Sequence, residues 1–388
     1  MPIKNRAAEM HAEVTAWRRD LHQNPELMYD TRRTAAMVAE KLREFGCDDV
    51  VEQIGQTGVV GVIKGRADTQ GRVIGLRADM DALPIFEATG LPYASKVAGK
   101  MHACGHDGHT AMLLGAAKYL AETRNFDGTA AVIFQPAEEG GAGARAMVED
   151  GLIDRFGIQE VYGMHNSPGL PIGSFSIRPG PFYAATDQFA IDVVGRGGHA
   201  AKPNLTIDTT VVASYIVVAL QTIVSRNADP LQSIVVSVTS FRTESDAYNV
   251  IPEHVQLRGT VRTFDKTLRT FAEERLKAIA EQTAASFGAK AVVDWQPGYP
   301  SMVNPEAETE FAAAVARSVT GKVDTNAPAL MGGEDFAYML EECPGAYIQI
   351  GNGDTADVHH PKYDFNDEAI PVGTSYWAEL VETRLPIG

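Results

Sequence analysis

The chain has 388 residues, 45% hydrophobic and 22% charged, an ordinary globular composition too long for one minimal core, so two domains or one large α/β unit with an insertion are expected. Its formal net charge of -16 argues against nucleic acid as a partner, because binding phosphates needs clustered Lys and Arg. Residues 211–220, the longest apolar run, are interrupted by Ser214 and Tyr215 and fall short of a span, residues 1–14 hold no signal-type apolar core, and the three cysteines are too few for a disulfide framework, so no membrane and a cytoplasmic setting are expected.

Met10, Val14, Trp17 and Leu21 fall at helical spacing, and the pattern stops near Asn24-Pro25. A second helical run ends at Phe45-Gly46, where glycine suits a C-cap. Apolar runs at residues 73–76, 130–134 and 161–164 read as buried strands, with a helix over 107–120 between the first two. That alternation predicts an α/β layer with a mostly parallel sheet. From about Tyr183 the pattern changes. Strand 188–194, helix 208–225, strands 233–241 and 254–264, helix 266–287 and strand 290–295 spell βαββαβ, the ferredoxin-like order. Turn-rich junctions, Arg178-Pro179-Gly180-Pro181 and Gln296-Pro297-Gly298-Tyr299-Pro300, suit an insertion whose ends lie close together. The predicted division is therefore a first domain of residues 1–182 and 297–388, interrupted by a second of residues 183–296. A helix over 305–319, the segment 333–340 and a strand over 346–350 return the chain to the first domain.

The densest set of metal-capable groups is His102-Ala103-Cys104-Gly105-His106-Asp107-Gly108-His109, just ahead of the 107–120 helix. Gly105 allows a turn that brings the Cys104 sulfur and the His106 imidazole onto one ion. The helix N-terminus would favour the thiolate, the form that binds metal. A lone Cys-x-His is as often a buried small residue beside a capping histidine, but three histidines around one cysteine weigh against that. Asp79-Met80-Asp81 and Glu138-Glu139 follow the first two strand runs, His165 follows the third, and His359-His360 lie shortly after the strand at 346–350. In open α/β sheets the carboxyl ends of the strands collect functional residues, so these groups should share one crevice. Adjacent glutamates on a loop usually only solvate it. One cysteine, one glutamate and three histidines from separate strand ends instead make a borderline-soft divalent site with room for two ions. Glu138, beside a ligating Glu139, would be the general base. No serine elbow, Walker motif or dinucleotide fingerprint is present.

The blocks LRADMDALP, MHACGHDGHTAMLLGAA, FQPAEEGGAGARAMVEDG, GMHN, GRGGHAAKP, YNVIPE, LRGTVRTF, MGGEDFAYM and VHHPKYDFND resemble peptidase family M20, in particular its M20D amidohydrolase branch of hippurate hydrolases, N-acyl-amino-acid amidohydrolases and auxin-conjugate hydrolases. The resemblance runs over nearly the whole chain. It implies a zinc-peptidase-like catalytic domain with an inserted ferredoxin-like lid or dimerisation domain. It implies two divalent ions per subunit, drawn from Zn, Mn, Co and Ni, held by Cys104, His106, Glu139, His165 and His359, with Glu138 as base. Position relative to Pro361 favours His359 over His360. Asp81 is implied as support for the ligands, and His199 as a donor to the tetrahedral oxyanion, often across a homodimer. Asn249, Gly332 and Gly333 resemble positions that contact the substrate, a small N-acyl or N-aroyl amino acid. Arg258 and Arg262 read as surface charges ahead of a carboxylate partner, and His11, His22 and His254 as solvated or capping residues. The expected activity is metal-dependent hydrolysis of the amide of an N-acyl amino acid. A dipeptidase or carboxypeptidase of the same family, and a non-catalytic metal-binding relative, are the competing readings.

Overall fold

The computed structural model describes residues 2–388, and the chain divides into two compact units. The first runs to Gly180 and resumes over Val303–Pro328 and Asp335–Gly388. It is built on an eight-stranded sheet in the order Asp49–Ile54, Gly58–Lys64, Thr129–Gln135, Val73–Asp79, Glu160–Ser167, Gly345–Gly351, Phe175–Ser176, Val323–Asp324. The four central strands from Thr129–Gln135 to Gly345–Gly351 pair in parallel. Their residues are almost all buried, the pattern of strands covered on both faces. Each contains an apolar run picked out by its sequence.

Helices Pro2–Gln23, His106–Thr123, Glu306–Thr320 and Ile370–Arg384 pack together around this core, with Leu114, Leu120, Tyr376 and Trp377 among its fully buried side chains. The hairpin Asp49–Ile54 with Gly58–Lys64, the short helices Gly143–Glu149 and Leu152–Phe156, and the helix Ile370–Arg384 had no counterpart in the sequence reading. The last is buried on most sides, so it lacks the polar stripe by which a helix announces its period.

The second unit comprises Pro181–Met302 and Ala329–Glu334. Strands Ala185–Val194, Ile234–Thr243, His254–Thr263 and Lys290–Pro297 form an antiparallel sheet in the ferredoxin-like spatial order 4-1-3-2. Helices Thr209–Thr222 and Lys266–Ser286 cover one face of it. Asp208 caps the first helix by accepting from Thr210 N–H at 3.0 Å, and Asp265 caps the second by accepting from Leu268 N–H at 2.9 Å. The expected boundaries of 183 and 296 shift outward. Thr186 N–H donates to Tyr299 O, and Ala184 N–H to the carbonyls of Leu330 and Gly332, each at 3.0 Å, so 297–302 and 329–334 pack with this unit. Gly332 and Gly333, expected in the first domain, therefore lie in the second.

The helical stretch Thr209–Asn227, with a mean hydropathy of 1.4, is long and apolar enough to cross a membrane by composition, which the shorter run seen in the sequence did not suggest. It buries Val212, Ala213, Ile216 and Leu220 against the sheet core. A helix with one face packed on a sheet accounts for that composition. Its outer face leaves Val211, Tyr215 and Val218 exposed by 44%, 56% and 68%.

His22 is not a solvated residue. It is fully buried in the first helix, and its Nδ1 lies 2.8 Å from Asp107 Oδ2 at the start of the helix His106–Thr123, beside the buried Arg18. Burial alone would lower its pKa, but the Asp107 charge, the hydrogen bond to Asp107 and the nearby Glu87 carboxylate, 3.5 Å from Nε2, outweigh that and push it up to about 9 from 6.5. A raised folded-state pKa stabilises the fold fully below pH 6.5, and that contribution is lost as pH rises through 9. Urea midpoints should therefore fall across this window in the native protein and less steeply in His22→Gln. Parallel curves for the two would refute the pairing.

Candidate metal centre

The carboxyl ends of the central parallel strands, and the loops after them, deliver the groups. Asp79 ends one strand with Asp81 just beyond, Glu138 and Glu139 follow the next, His165 lies in the third, and His359 comes from the loop after Gly345–Gly351. Cys104 and His106 flank Gly105, whose φ of +89° makes the turn into the helix His106–Thr123.

One donor atom from each of Cys104, His106 and His165 lies within 4.8 Å of the others, and the same holds for Cys104 with Glu139 and His359, and for His106 with Glu138 and Glu139. Cys104 and His106 each belong to two of these overlapping sets, so the groups offer places for more than one cation. Cys104 Sγ lies 3.4 Å from His165 Nε2. His359 Nε2 lies 3.2 Å from Glu139 Oε1. The neighbouring His360 instead takes a hydrogen bond from Lys362 N–H on its Nδ1, at 3.0 Å.

Hydrogen bonds set which ring nitrogens face inward. His106 Nδ1–H donates to Asp81 O at 2.8 Å and His165 Nδ1–H to Asn166 O at 2.6 Å, which leaves both Nε2 lone pairs for the centre. Asp81 holds the glutamate pair: Oδ1 accepts Glu138 N–H at 2.9 Å and Oδ2 accepts Glu139 N–H at 3.1 Å. That loop is under backbone strain, with the non-glycine residues Ala137 and Ala142 at φ of +53° and +55°, and His359 shares the feature at +65°. Its far end is pinned where Ala144 N–H donates to the buried Asp335 at 2.9 Å.

A divalent cation fits this donor set. His106 Nε2 and Glu139 Oε1 are buried and make no hydrogen bond, the contact of the latter with His359 lacking the geometry for one. Burial lowers the His106 pKa, but the charge of Asp79 and then the hydrogen bond and charge of Asp81 outweigh it and raise it to about 10, so without an ion Nε2 carries a proton that a cation would displace to use the lone pair. Burial first, then the charge of His109, keeps His165 well below its usual range and neutral, as a ligand must be. Burial together with the charges of Glu139, Glu138 and Asp79 pushes the Cys104 thiol well above its ordinary value. Without an ion, burial and these carboxylates oppose the thiolate that the helix N-terminus was expected to favour, and a bound cation would offset them.

In the second unit, His199 and Asn249 come together on a small ribbon in which Gly198–His199 pairs with Val250–Ile251 and Ala200 N–H donates to Asn249 O at 3.0 Å. His199 is exposed, and its Nδ1 accepts Ala201 N–H at 3.1 Å, which places the ring proton on Nε2. Gly333 packs tightly enough that a Cβ there would lie 2.4 Å from Thr186 Cγ2, whereas Gly332 is open. Arg258 and Arg262 stand on the open sheet face, where Arg258 Nε donates to Gln256 Oε1 at 2.7 Å and Arg262 Nη1 donates to Val261 O at 3.0 Å. His254 is half-buried against Asp192 at 3.1 Å.

The profile of peptidase family M20/M25/M40 matches residues 75–383. The chain belongs to that family. It is 43% identical over 372 residues to the N-acetylcysteine deacetylase of Bacillus subtilis, covering 95% of this chain and 96% of the relative. It is 42% identical over 375 residues to the hippurate hydrolase of Campylobacter jejuni, covering 96% of each. Among solved structures, a Bacillus subtilis protein described as a dinuclear metal-binding peptidase of the M20 family superposes with a TM-score of 0.85 at 38% identity, covering 97% of this chain and 99% of that one. The expected α/β peptidase fold and the resemblance to the amidohydrolase branch are both borne out, and this M20 chain is a metal-dependent amidohydrolase.

Sequence reasoning gave no role to Arg77, Gln135 or Asp335, and placed Asp79 and His109 in the crevice without a partner. Arg77 is fully buried and donates to Gln135 Oε1 at 2.7 Å, Asp79 Oδ2 at 2.8 Å and Asp335 Oδ1 at 3.0 Å. His109 Nδ1 lies 2.6 Å from Asp79 Oδ1, and its Nε2 accepts Asn166 N–H at 2.9 Å, so both ring nitrogens of this M20 histidine are committed to the scaffold. The signal for the first set was a lone arginine inside an apolar strand, since a buried guanidinium requires carboxylate partners.

Proposed function

We propose that this enzyme hydrolyses the amide bond of N-acyl or N-aroyl amino acids, with Cys104, His106, Glu139, His165 and His359 holding two divalent ions drawn from Zn, Mn, Co and Ni. The observation that supports it is the convergence of these donors from separate strand ends around the Glu138-Glu139 pair, which Asp81 grips by its backbone. When bound, the ions would polarise the scissile carbonyl and lower the pKa of water at the site. Glu138 accepts the proton of the attacking water and passes it to the amine nitrogen as the C–N bond breaks, giving a carboxylic acid and a free amino acid. We assign His199 Nε2–H to the developing oxyanion, and Asn249, Gly332 and Gly333 to contact with the substrate. A second copy of this chain suits the exposed apolar face of Thr209–Thr222 beside the sheet edge at Ile234–Thr243. Three free thiols suit a cytoplasmic setting.

The test is a release assay on N-acetyl and N-benzoyl amino acids against unblocked dipeptides, after chelation and reloading with Zn, Mn or Co in turn. Blocked amino acids should be cleaved and chelation should abolish the activity. Preference for free dipeptides would make the protein a dipeptidase instead, and metal binding without turnover of either class would make it a non-catalytic relative.

A further inference from the structure

Asn166 follows His165 at the end of the strand Glu160–Ser167 and is 2% exposed. Its side-chain Nδ2 donates to the Cys104 carbonyl at 2.6 Å and also lies 3.1 Å from His109 Nε2. A carbonyl only accepts, so the amide orientation is settled and Oδ1 points the other way, where it accepts the Tyr363 hydroxyl at 2.8 Å. The backbone of the same residue is equally committed. Its N–H donates to His109 Nε2 at 2.9 Å and its carbonyl accepts His165 Nδ1–H at 2.6 Å. His109 in turn is anchored on Asp79 at 2.6 Å.

These bonds join segments that are far apart in the chain and carry different donors: the Cys104 turn, the His165 strand end, and the loop of His359, four residues ahead of Tyr363. His359 itself ties back to the first of them, its N–H donating to Ala103 O at 2.7 Å. Space around the hub is fully used. A Cβ at Gly105 would lie 2.3 Å from Asn166 Nδ2 and 2.4 Å from the Tyr363 hydroxyl, so the amide and the phenol are seated on the bare backbone of the turn between Cys104 and His106.

We propose that Asn166 is a positioning residue that holds Cys104, His165 and the His359 loop in register for the cations, with its Nδ2 donation to the Cys104 carbonyl as the decisive bond. The inference rests on the reading of those three residues as ligands. A packing role alone would need only the volume of the side chain. The positioning role needs a donor on one side and an acceptor on the other.

Asn166→Asp keeps the shape and the acceptor toward Tyr363 but sets an oxygen against the Cys104 carbonyl and the His109 lone pair. Tyr363→Phe keeps the ring and removes one bond. Affinity for Zn and Mn is to be measured by competition with a chelator, alongside melting of the metal-free protein. Asn166→Asp should bind metal ~10-fold or more weakly, the scale for losing a partner that orients ligands. Tyr363→Phe should lose about 2- to 10-fold, the scale of one neutral hydrogen bond. Tyr363→Phe should melt within a few degrees of the native metal-free protein, because positioning acts on the ion rather than on the fold, whereas Asn166→Asp, which buries an oxygen against two acceptors, should melt lower and lose more affinity than that fall explains. Native affinity in both variants overturns the proposal, as does a loss that only tracks a fall in the melting temperature. Should Asn166→Asp not fold, Tyr363→Phe decides alone. Cys104→Ser is titrated in parallel: if it binds as tightly as the native protein, the ligand assignment has failed, whereas weak binding there with native binding in the other two refutes only the role of Asn166.

Discussion

Replacing Glu138 with Gln is expected to leave metal content unchanged and to lower turnover by at least ~100-fold, the usual scale for losing a general base. The amide keeps the shape of the carboxylate but cannot accept the proton of water. Retention of metal is expected because Asp81 grips residue 138 through its backbone N–H, which the substitution preserves. Metal analysis together with steady-state kinetics on a blocked amino acid checks both halves. Near-normal turnover with metal bound would remove Glu138 from the role of base, and loss of metal would make it a ligand. In either case its neighbour Glu139 would need reassessment, since the two share one strained loop.

His199→Ala should lower kcat by ~100-fold or more while changing KM little, because an oxyanion donor acts on the transition state and not on the ground state. The hydrogen bond from Ala201 N–H to Nδ1 motivates this, since it leaves Nε2 carrying the proton to be donated. Normal turnover in the variant would exclude the role. Whether the donor acts within one subunit or across two is read by mixing His199→Ala with Glu138→Gln subunits. Recovery of activity in hybrids means that one site draws residues from two copies. No recovery despite proven subunit exchange means that His199 serves its own chain.

The central strands and most helices were legible because buried parallel strands are continuous apolar runs and surface helices repeat every three to four residues. The helix Ile370–Arg384 was not, because a helix buried on most sides carries no such contrast. The hairpin at Asp49–Ile54 depends on Gln53 and Gln56 in left-handed backbone, a conformation that glutamine does not advertise. The outward shift of the second unit's boundaries has a similar cause, since the segment 329–334 joins it through backbone hydrogen bonds, which have no sequence signature.

By itself the sequence determined the family and the mostly parallel α/β layer, and it named the candidate donors, because donor chemistry is written in residue identity and strand ends are written in hydrophobic pattern. Only the tertiary structure decided how those donors are held and charged. Arg77, Asp79, His109, Asn166 and Asp335 act through bonds between segments as much as 258 positions apart, and no local pattern encodes such pairings. Burial and then the nearby carboxylates push the Cys104 thiol up, and Asp107 partners the buried His22, since a side chain's pKa depends on its surroundings in space rather than on its neighbours in the chain.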